Sequence, residues 1–206
     1  MSPPLIGVLA LQGDVDEHER AFETVGARVR RVKNRAALDE VDGLVVPGGE
    51  STTVIRLLNR FELTGPLVAR VRAGLPFWGT CMGMIVAASQ VADIDQETLG
   101  LLDITVRRNA FGRQSASEEV PLAIPVLGSQ PFPAVFIRAP WIERAGAGVE
   151  ILASYAGHGV FVREDHVLGT SFHPELTADS RIHQYFIKMV DERRRGRNDL
   201  APRNVA

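Results

Sequence analysis

The sequence predicts an α/β protein with a mostly parallel central sheet and helices on both faces. Apolar runs at residues 5–11, 42–47 and 75–79 are continuous, as expected of strands that are covered on both sides. Segments with helical periodicity follow these runs along the chain. This alternation of strand and helix is typical of a parallel sheet.

The first half of the chain contains the start and stop signals of several helices. Asp14 is placed to cap a first helix, and Gly26 is placed to end it. Further elements are predicted as a strand at residues 28–32 and as helices that start at Ser51 or Thr52, at residue 66 and near Cys81. Because parallel strands end at one edge of their sheet, we expect the loops after them to meet there. These loops are Gln12-Gly13, Gly48-Gly49-Glu50 and Gly79-Thr80-Cys81.

The second half has shorter apolar runs that turn residues separate. Strands are predicted at residues 104–108, 135–138, 149–153, 159–162 and 167–172, some of them antiparallel. A final helix is predicted at residues 178–192 from its apolar face. Residues 193–206 contain three consecutive arginines and no apolar periodicity, so we expect a flexible basic tail after a single domain of residues 1–192.

Composition excludes several functional classes. The net charge of −2 does not favour a nucleic-acid or membrane surface. Cys81 is the single cysteine, which excludes an intramolecular disulfide and a multi-cysteine metal cluster, and which suits a reducing compartment. The N-terminal residues show no basic region or cleavage site of an export signal, so a cytoplasmic protein is expected. Nucleotide-binding glycine motifs and metal-ligand spacings are absent, so no cofactor and no metal are expected.

The segment Gly79-Thr80-Cys81-Met82-Gly83 follows an apolar strand and precedes a helix. This is the pattern of a nucleophile elbow with cysteine as the nucleophile, since larger residues in place of the glycines would crowd the turn. The helix N-terminus would favour the thiolate, and the Met82 N–H is placed to stabilise an oxyanion. The alternative is an ordinary strand–helix turn that contains a buried cysteine.

His173 is the histidine that best fits the role of base. It ends an apolar strand and is followed by Pro174 and Glu175. Side chains two residues apart in extended chain share a face, so Glu175 can bind one imidazole nitrogen and leave the other for Cys81. The remaining histidines are predicted to lie on a solvated helix face (His18), in turns (His158 and His166) and near the surface of the last helix (His183).

Three motifs together carry a family resemblance. Pro47-Gly48-Gly49, Gly79-Thr80-Cys81-Met82-Gly83 and His173-Pro174-Glu175 resemble, in order, the signatures of triad (class I) glutamine amidotransferases. The resemblance implies a flavodoxin-like three-layer sandwich and a Cys81–His173–Glu175 catalytic triad. Regulatory subunits without activity and cysteine hydrolases on a similar fold are the alternatives.

A narrower resemblance covers about residues 5–190. Residues 7–13, 48–52, 108–114, 135–140 and 171–177 resemble the glutaminase subunits of pyridoxal 5′-phosphate synthase, and Phe111-Gly112-Arg113-Gln114 is among the most specific of these motifs. The resemblance implies hydrolysis of L-glutamine and transfer of ammonia to a (β/α)8-barrel synthase subunit in vitamin B6 biosynthesis. Met82 departs from the small residue expected after the nucleophile.

The resemblance also implies a set of substrate contacts. Glutamine would be bound by Gly49, Glu50, Ser51, Arg108, Ile137 and Arg138, and the oxyanion by backbone N–H groups of Met82 and of Gly48 or Gly49. A glycine-rich loop lets backbone amides approach a ligand closely, and an arginine suits the carboxylate of a free amino acid. The alternative roles are a helix cap for Ser51 and surface salt bridges for the arginines.

Overall fold

A computed structural model of the chain describes residues 2–108 and 117–200, with side chains described up to residue 196. The Phe111-Gly112-Arg113-Gln114 motif lies outside the described residues. Six α-helices are present in the described part: α1 (Val15–Thr24), α2 (Arg35–Glu40), α3 (Ser51–Arg60), α4 (Thr64–Arg72), α5 (Met82–Ala87) and α6 (Arg181–Leu200).

The described strands, in chain order, are β1 (Leu5–Leu9), β2 (Arg28–Val32), β3 (Gly43–Val46), β4 (Phe77–Thr80), β5 (Ala88–Val91), β6 (Leu102–Arg107), β7 (Glu118–Leu122), β8 (Phe132–Phe136), β9 (Trp141–Ala145), β10 (Glu150–Tyr155), β11 (His158–Glu164) and β12 (Val167–Thr170). Short 3-10 helices cover Pro125–Leu127 and Pro174–Leu176. The strands at the centre, β3, β4 and β12, are buried along their whole length.

Within the described residues, one large sheet has the order β2-β1-β3-β4-β12-β11-β9-β6-β5, and β10 pairs with β11. Neighbours from β2 to β12 are parallel, whereas β11 is antiparallel to β12, β9 and β10. Strands β7 and β8 form a separate antiparallel pair. The predicted parallel first half and partly antiparallel second half are therefore confirmed.

The sheet lies between two layers of helices. Alternate side chains of a strand point to opposite faces, so one strand contributes to two cores. Leu44 and Phe77 pack into the core that also contains residues of α2, α3, α4 and α5. Val45 and Trp78 pack into the other core, with residues of α1 and α6. This arrangement is the predicted three-layer sandwich.

The last helix differs from its prediction at both ends. It begins at Arg181 and continues to Leu200, beyond the expected end at residue 192. Arg193 pairs with Asp165, and Arg194 Nε lies 3.5 Å from Asp42 Oδ2. The helix thus continues through arginines that form ion pairs. The prediction ended earlier because this segment has no apolar periodicity. Helix α2 and strands β5, β7 and β9 are also additions to the predicted elements.

The described helices include none that is both long enough and apolar enough to cross a membrane.

Candidate active site

A cavity of about 290 Å³ lies at the carboxyl edge of the sheet, where the predicted loops meet. The loops after β1 and β3 are joined by two hydrogen bonds: Asp14 N–H donates to Gly48 O at 3.2 Å, and Glu50 N–H donates to Gln12 Oε1 at 2.8 Å. The cavity is lined by Asp14, Gly49, Glu50, Ser51, Cys81, Met82, Ile85, Arg108, Ile137, Arg138, Pro140 and His173. Most of the predicted site residues thus surround one space.

Cys81 occupies a strained turn between β4 and α5. Its φ of 49° and ψ of −107° lie in a region that residues with a side chain rarely adopt. A Cβ atom built on Gly79 would lie 2.3 Å from Gly83 O, and one built on Gly83 would lie 2.0 Å from Val46 O, so neither position has room for a side chain. Cys81 N–H donates to Thr170 O at 2.7 Å, which fixes the turn to the neighbouring strand. The predicted nucleophile elbow is present.

His173 and Glu175 form a buried hydrogen-bonded pair. His173 Nδ1 lies 2.7 Å from Glu175 Oε1, and both residues are almost fully buried. The backbone N–H of His173 donates to Val135 O at 2.8 Å, which fixes the chain that holds the imidazole after β12. Burial alone would lower the pKa of His173, but hydrogen bonds with Asp14, Cys81 and Glu175 outweigh burial and raise this pKa. The imidazole is therefore suited to accept a proton from the Cys81 thiol.

Asp14 is a second acid beside the imidazole. Its Oδ2 lies 3.3 Å from His173 Nδ1, and its side chain makes no capping bond to α1, which corrects the predicted role as a helix cap. Asp14, His173 and Glu175 each bring one possible metal-ligand atom within 4.8 Å of the others. Since Nδ1 already bonds Glu175 at 2.7 Å, hydrogen bonding accounts for this cluster. That the protein needs no metal or cofactor stays a prediction.

Glu50 and Arg108 form a charged pair on one wall of the cavity. Glu50 caps α3 by accepting hydrogen bonds from the N–H groups of Thr52 and Thr53, a role considered from the sequence for Ser51 as the alternative to substrate binding. Burial would raise the pKa of Glu50, but these bonds outweigh it and lower the pKa to about 2. Arg108 Nη2 lies 3.5 Å from Glu50 Oε1. The cavity therefore presents a carboxylate and a guanidinium side by side.

Gln96 links two of the predicted substrate-binding residues. Its Oε1 accepts hydrogen bonds from Ser51 Oγ at 2.9 Å and from Arg108 Nη1 at 3.2 Å. Sequence reasoning missed Gln96, which lies in a short connection between β5 and β6 and matches no motif.

The opposite wall brings the Ile137-Arg138 turn close to the nucleophile. Cys81 Sγ lies 3.9 Å from Ile137 O, and Arg138 has a φ of 44° and an exposed side chain. Of the predicted oxyanion donors, Met82 and Gly49 line the cavity, whereas Gly48 packs against the His173 ring. Met82 is the first residue of α5, so its N–H has no carbonyl partner within the helix.

Two histidines lie where the sequence did not predict them. His18 and His183 are fully buried rather than exposed. Charged neighbours of His18 occupy the outer faces of α1, while His18 shares the inner face with Phe22. His18 and the apolar Phe22 are four residues apart, so they lie on the same face of a helix. This spacing is the signal that could have located His18 on the buried face. His18 Nε2 lies 3.4 Å from Glu175 Oε2, directly behind the His173–Glu175 pair.

Comparisons with known proteins agree with this geometry. The model of the SNO glutamine amidotransferase family matches residues 8–192. The chain is 55% identical over 199 residues to pyridoxal 5′-phosphate synthase subunit PdxT of Frankia alni, covering 96% of this chain and 100% of that protein. The same subunit of Streptomyces avermitilis is 53% identical over 192 residues, covering 92% of this chain and 96% of that protein.

Solved structures support the same assignment. A structure described as a crystal structure of glutamine amidotransferase has a TM-score of 0.86 and 44% identity, covering 90% of this chain and 98% of that chain. A putative GMP synthase protein of Thermoplasma acidophilum, at 19% identity and a TM-score of 0.69, shares the fold. It covers 96% of this chain and 99% of that chain. From its matched sequence and its cysteine elbow, the chain belongs to the SNO glutamine amidotransferase family.

Proposed function

We propose that this protein hydrolyses L-glutamine to L-glutamate and ammonia as the glutaminase subunit of a pyridoxal 5′-phosphate synthase. The observation that carries the proposal is the strained Cys81, which faces the buried His173–Glu175 pair inside a cavity with charged walls. The PdxT relatives named above are similar over nearly their whole length. The reaction belongs to vitamin B6 biosynthesis.

The catalytic steps follow from the chemistry of the three residues. The Cys81 thiolate attacks the side-chain amide carbon of glutamine, and the resulting oxyanion is stabilised by N–H groups of Met82 and of the Gly48-Gly49 loop. His173 donates a proton to the leaving nitrogen, the C–N bond breaks, and a thioester remains. A water molecule that His173 deprotonates then hydrolyses the thioester. Glu175 orients the imidazole and stabilises its charged form.

Recognition of a free amino acid suits the charged walls. The α-carboxylate of glutamine can pair with the guanidinium of Arg108 or Arg138, and the α-ammonium with the ionised Glu50. Ser51 and Ile137 line the same cavity. A peptide lacks these free charged groups, so we expect selectivity for the free amino acid.

The ammonia requires an acceptor on another protein. Ammonia that escapes into neutral solvent becomes protonated and loses its nucleophilicity, so direct transfer to a partner is expected. We propose that this partner is a (β/α)8-barrel synthase subunit. The compartment that we propose is the cytoplasm, since the nucleophile must stay a reduced thiol.

Glutamate release from glutamine, measured with and without the barrel synthase, tests the proposal. We expect partner-stimulated activity in the wild type and none in Cys81→Ala, with complex formation checked by size-exclusion chromatography for both. Ser89→Ala is a matched control, because Ser89 Oγ donates to Leu102 O away from the cavity. A complex that forms and releases no glutamate would refute the assignment, and cleavage of peptides without glutaminase activity would identify a cysteine hydrolase.

A further inference from the structure

His18 occupies a fully buried position behind the catalytic pair. Its Nε2 lies 3.4 Å from Glu175 Oε2 and 3.1 Å from Thr80 Oγ1. Thr80 immediately precedes Cys81, so the two contacts reach both the nucleophile elbow and the acid of the triad. Glu175 Oε1 is occupied by His173, whereas Glu175 Oε2 has no hydrogen-bond donor at normal geometry among the described residues. His18 is the polar side chain that faces this oxygen.

The surroundings of His18 keep its ring neutral. Trp78, Phe22 and His183 enclose it, with ring centroids 5.6, 6.4 and 5.7 Å from its own. Burial, with the charges of His183 and His173, lowers the pKa of His18 well below its ordinary value. Three titratable groups act on the ring: Glu175, His173 and His183.

The contacts also determine which ring nitrogen carries the proton. A neutral imidazole has one N–H donor and one acceptor nitrogen. The Thr80 hydroxyl, 3.1 Å from Nε2, can accept from an N–H or donate to a lone pair, so it fits either tautomer. A lone pair on Nε2 would also face Glu175 Oε2 at 3.4 Å and repel it, whereas an N–H there is attracted. His18 Nδ1 is buried and has no partner among the described residues, so neither tautomer gains a bond at that atom. The Nε2–H tautomer is thus the favoured one.

We propose that His18 is a positioning residue for the reaction: its Nε2–H, bonded to Thr80 Oγ1 at 3.1 Å, also presents its positive end to Glu175 Oε2 at 3.4 Å and keeps this buried carboxylate ionised and directed at His173. The inference rests on the proposed glutaminase function for its effect on turnover. Its effect on the Cys81 thiolate does not depend on that function. Burial raises the pKa of Glu175. The positive end of an N–H dipole beside the carboxylate opposes this effect and stabilises the ionised form, and the ionised Glu175 in turn stabilises the imidazolium that pairs with the thiolate.

The test compares His18→Phe, His18→Gln and Phe22→Leu with the wild type. The rate of Cys81 alkylation by iodoacetamide is measured against pH, since only the thiolate reacts. In His18→Phe we expect the alkylation profile to shift to higher pH by about one unit, because the carboxylate loses the N–H dipole that faces it. Gln can place an amide N–H near the position of Nε2, so His18→Gln should restore most of the profile. Phe22→Leu loses packing around the same ring without touching Glu175 and should leave the profile unchanged.

Turnover gives a second readout, with the barrel synthase present. We expect kcat to fall roughly tenfold in His18→Phe while KM for glutamine stays the same. An unshifted alkylation profile in folded His18→Phe would overturn the proposal. If His18→Phe does not fold, imidazole ¹⁵N spectra of the wild type decide: an Nε2–H tautomer supports the proposal, and an Nδ1–H tautomer overturns it. Absent glutamate release from the wild-type complex would refute the proposed function alone.

Discussion

Gly48→Ala is expected to displace the imidazole of His173, the proposed catalytic base. Gly48 lies in the loop after β3, where a Cβ atom would sit 2.4 Å from His173 Cε1 and 2.9 Å from Asp14 Oδ2. Ordinary van der Waals contact begins at 3.4 Å. The loop and the imidazole must therefore separate by about 1 Å, the difference between these two distances. The hydrogen bond between His173 Nδ1 and Glu175 limits movement of the ring.

A shift of this size has a calculable effect on the rate. Misplacing a catalytic group by about 1 Å can lower the rate on the order of 10²-fold. That loss corresponds to about 3 kcal/mol of transition-state stabilisation. Overpacking of the loop should also lower the free energy of unfolding by about 1–3 kcal/mol. We expect the loss to appear mostly in kcat, since Glu50 and Arg108, the charged pair that we propose to bind glutamine, stay in place.

The assay is steady-state glutamate release by the complex with the barrel synthase, together with urea denaturation of each variant. Gly65→Ala is the matched control, because no atom lies within 4 Å of a Cβ built at Gly65 in α4. Alanine favours helix over glycine by about 1 kcal/mol, so this control should keep full activity and gain stability. Wild-type kcat in a folded Gly48→Ala complex would refute the argument that the loop backbone positions His173.

Three further predictions concern charge and burial in the same region. Arg108→Ala should raise KM for glutamine about tenfold with little change in kcat, whereas Arg107→Ala, which removes an exposed pair with Glu143, should change neither. Glu175→Gln should lower kcat on the order of 10²-fold or more, because the amide cannot balance the imidazolium charge. Burial lowers the pKa of His183 to about 4 from an ordinary 6.5, so its contribution to stability is complete above pH 6.5 and is lost as pH falls through 4. The free energy of unfolding of the wild type should therefore fall between neutral and acidic pH by up to about 3 kcal/mol more than that of His183→Phe, measured from urea midpoints at both pH values.

Distinct outcomes would contradict each of these predictions. An unchanged KM in Arg108→Ala would show that the guanidinium does not bind substrate. Near-normal turnover in Glu175→Gln would remove Glu175 from the triad. Unfolding midpoints of wild type and His183→Phe that fall in parallel with pH would show that protonation of His183 does not contribute to acid sensitivity.

The features that could be predicted from sequence are those that depend on short stretches of chain. Gly79 is required within a turn of five residues, because a Cβ atom there would lie 2.3 Å from Gly83 O. Gly83 is required for a different reason, since a Cβ atom there would lie 2.0 Å from Val46 O on β3. His173 and Glu175 are two residues apart and were expected to share a face, and their side chains are 2.7 Å apart. The loops at the carboxyl edge also meet, since strand order in a parallel sheet constrains them.

The features that were missed depend on contacts between distant parts of the chain. Gln96 bonds Ser51 across 45 residues, and His18 approaches Thr80 across 62. The charged neighbours of His18 favour exposure when the helix is considered alone. Packing of α1 against Trp78 and α6 decides which face is buried. Asp14 likewise has the position of a helix cap in sequence but contacts His173 in the fold.

The sequence by itself determined the α/β class, the cysteine elbow and the His173–Glu175 pair. Hydrophobic periodicity, the steric limits of a tight turn and the shared face of side chains two residues apart all act within short stretches of chain. Only the tertiary structure decided the second layer of the site: Asp14 beside the imidazole, Gln96 between Ser51 and Arg108, and buried His18 behind Glu175. Those contacts arise where separate strands end at one edge of the sheet and where one helix face is covered by another. A short stretch of sequence does not indicate which distant side chain will contact it in the fold.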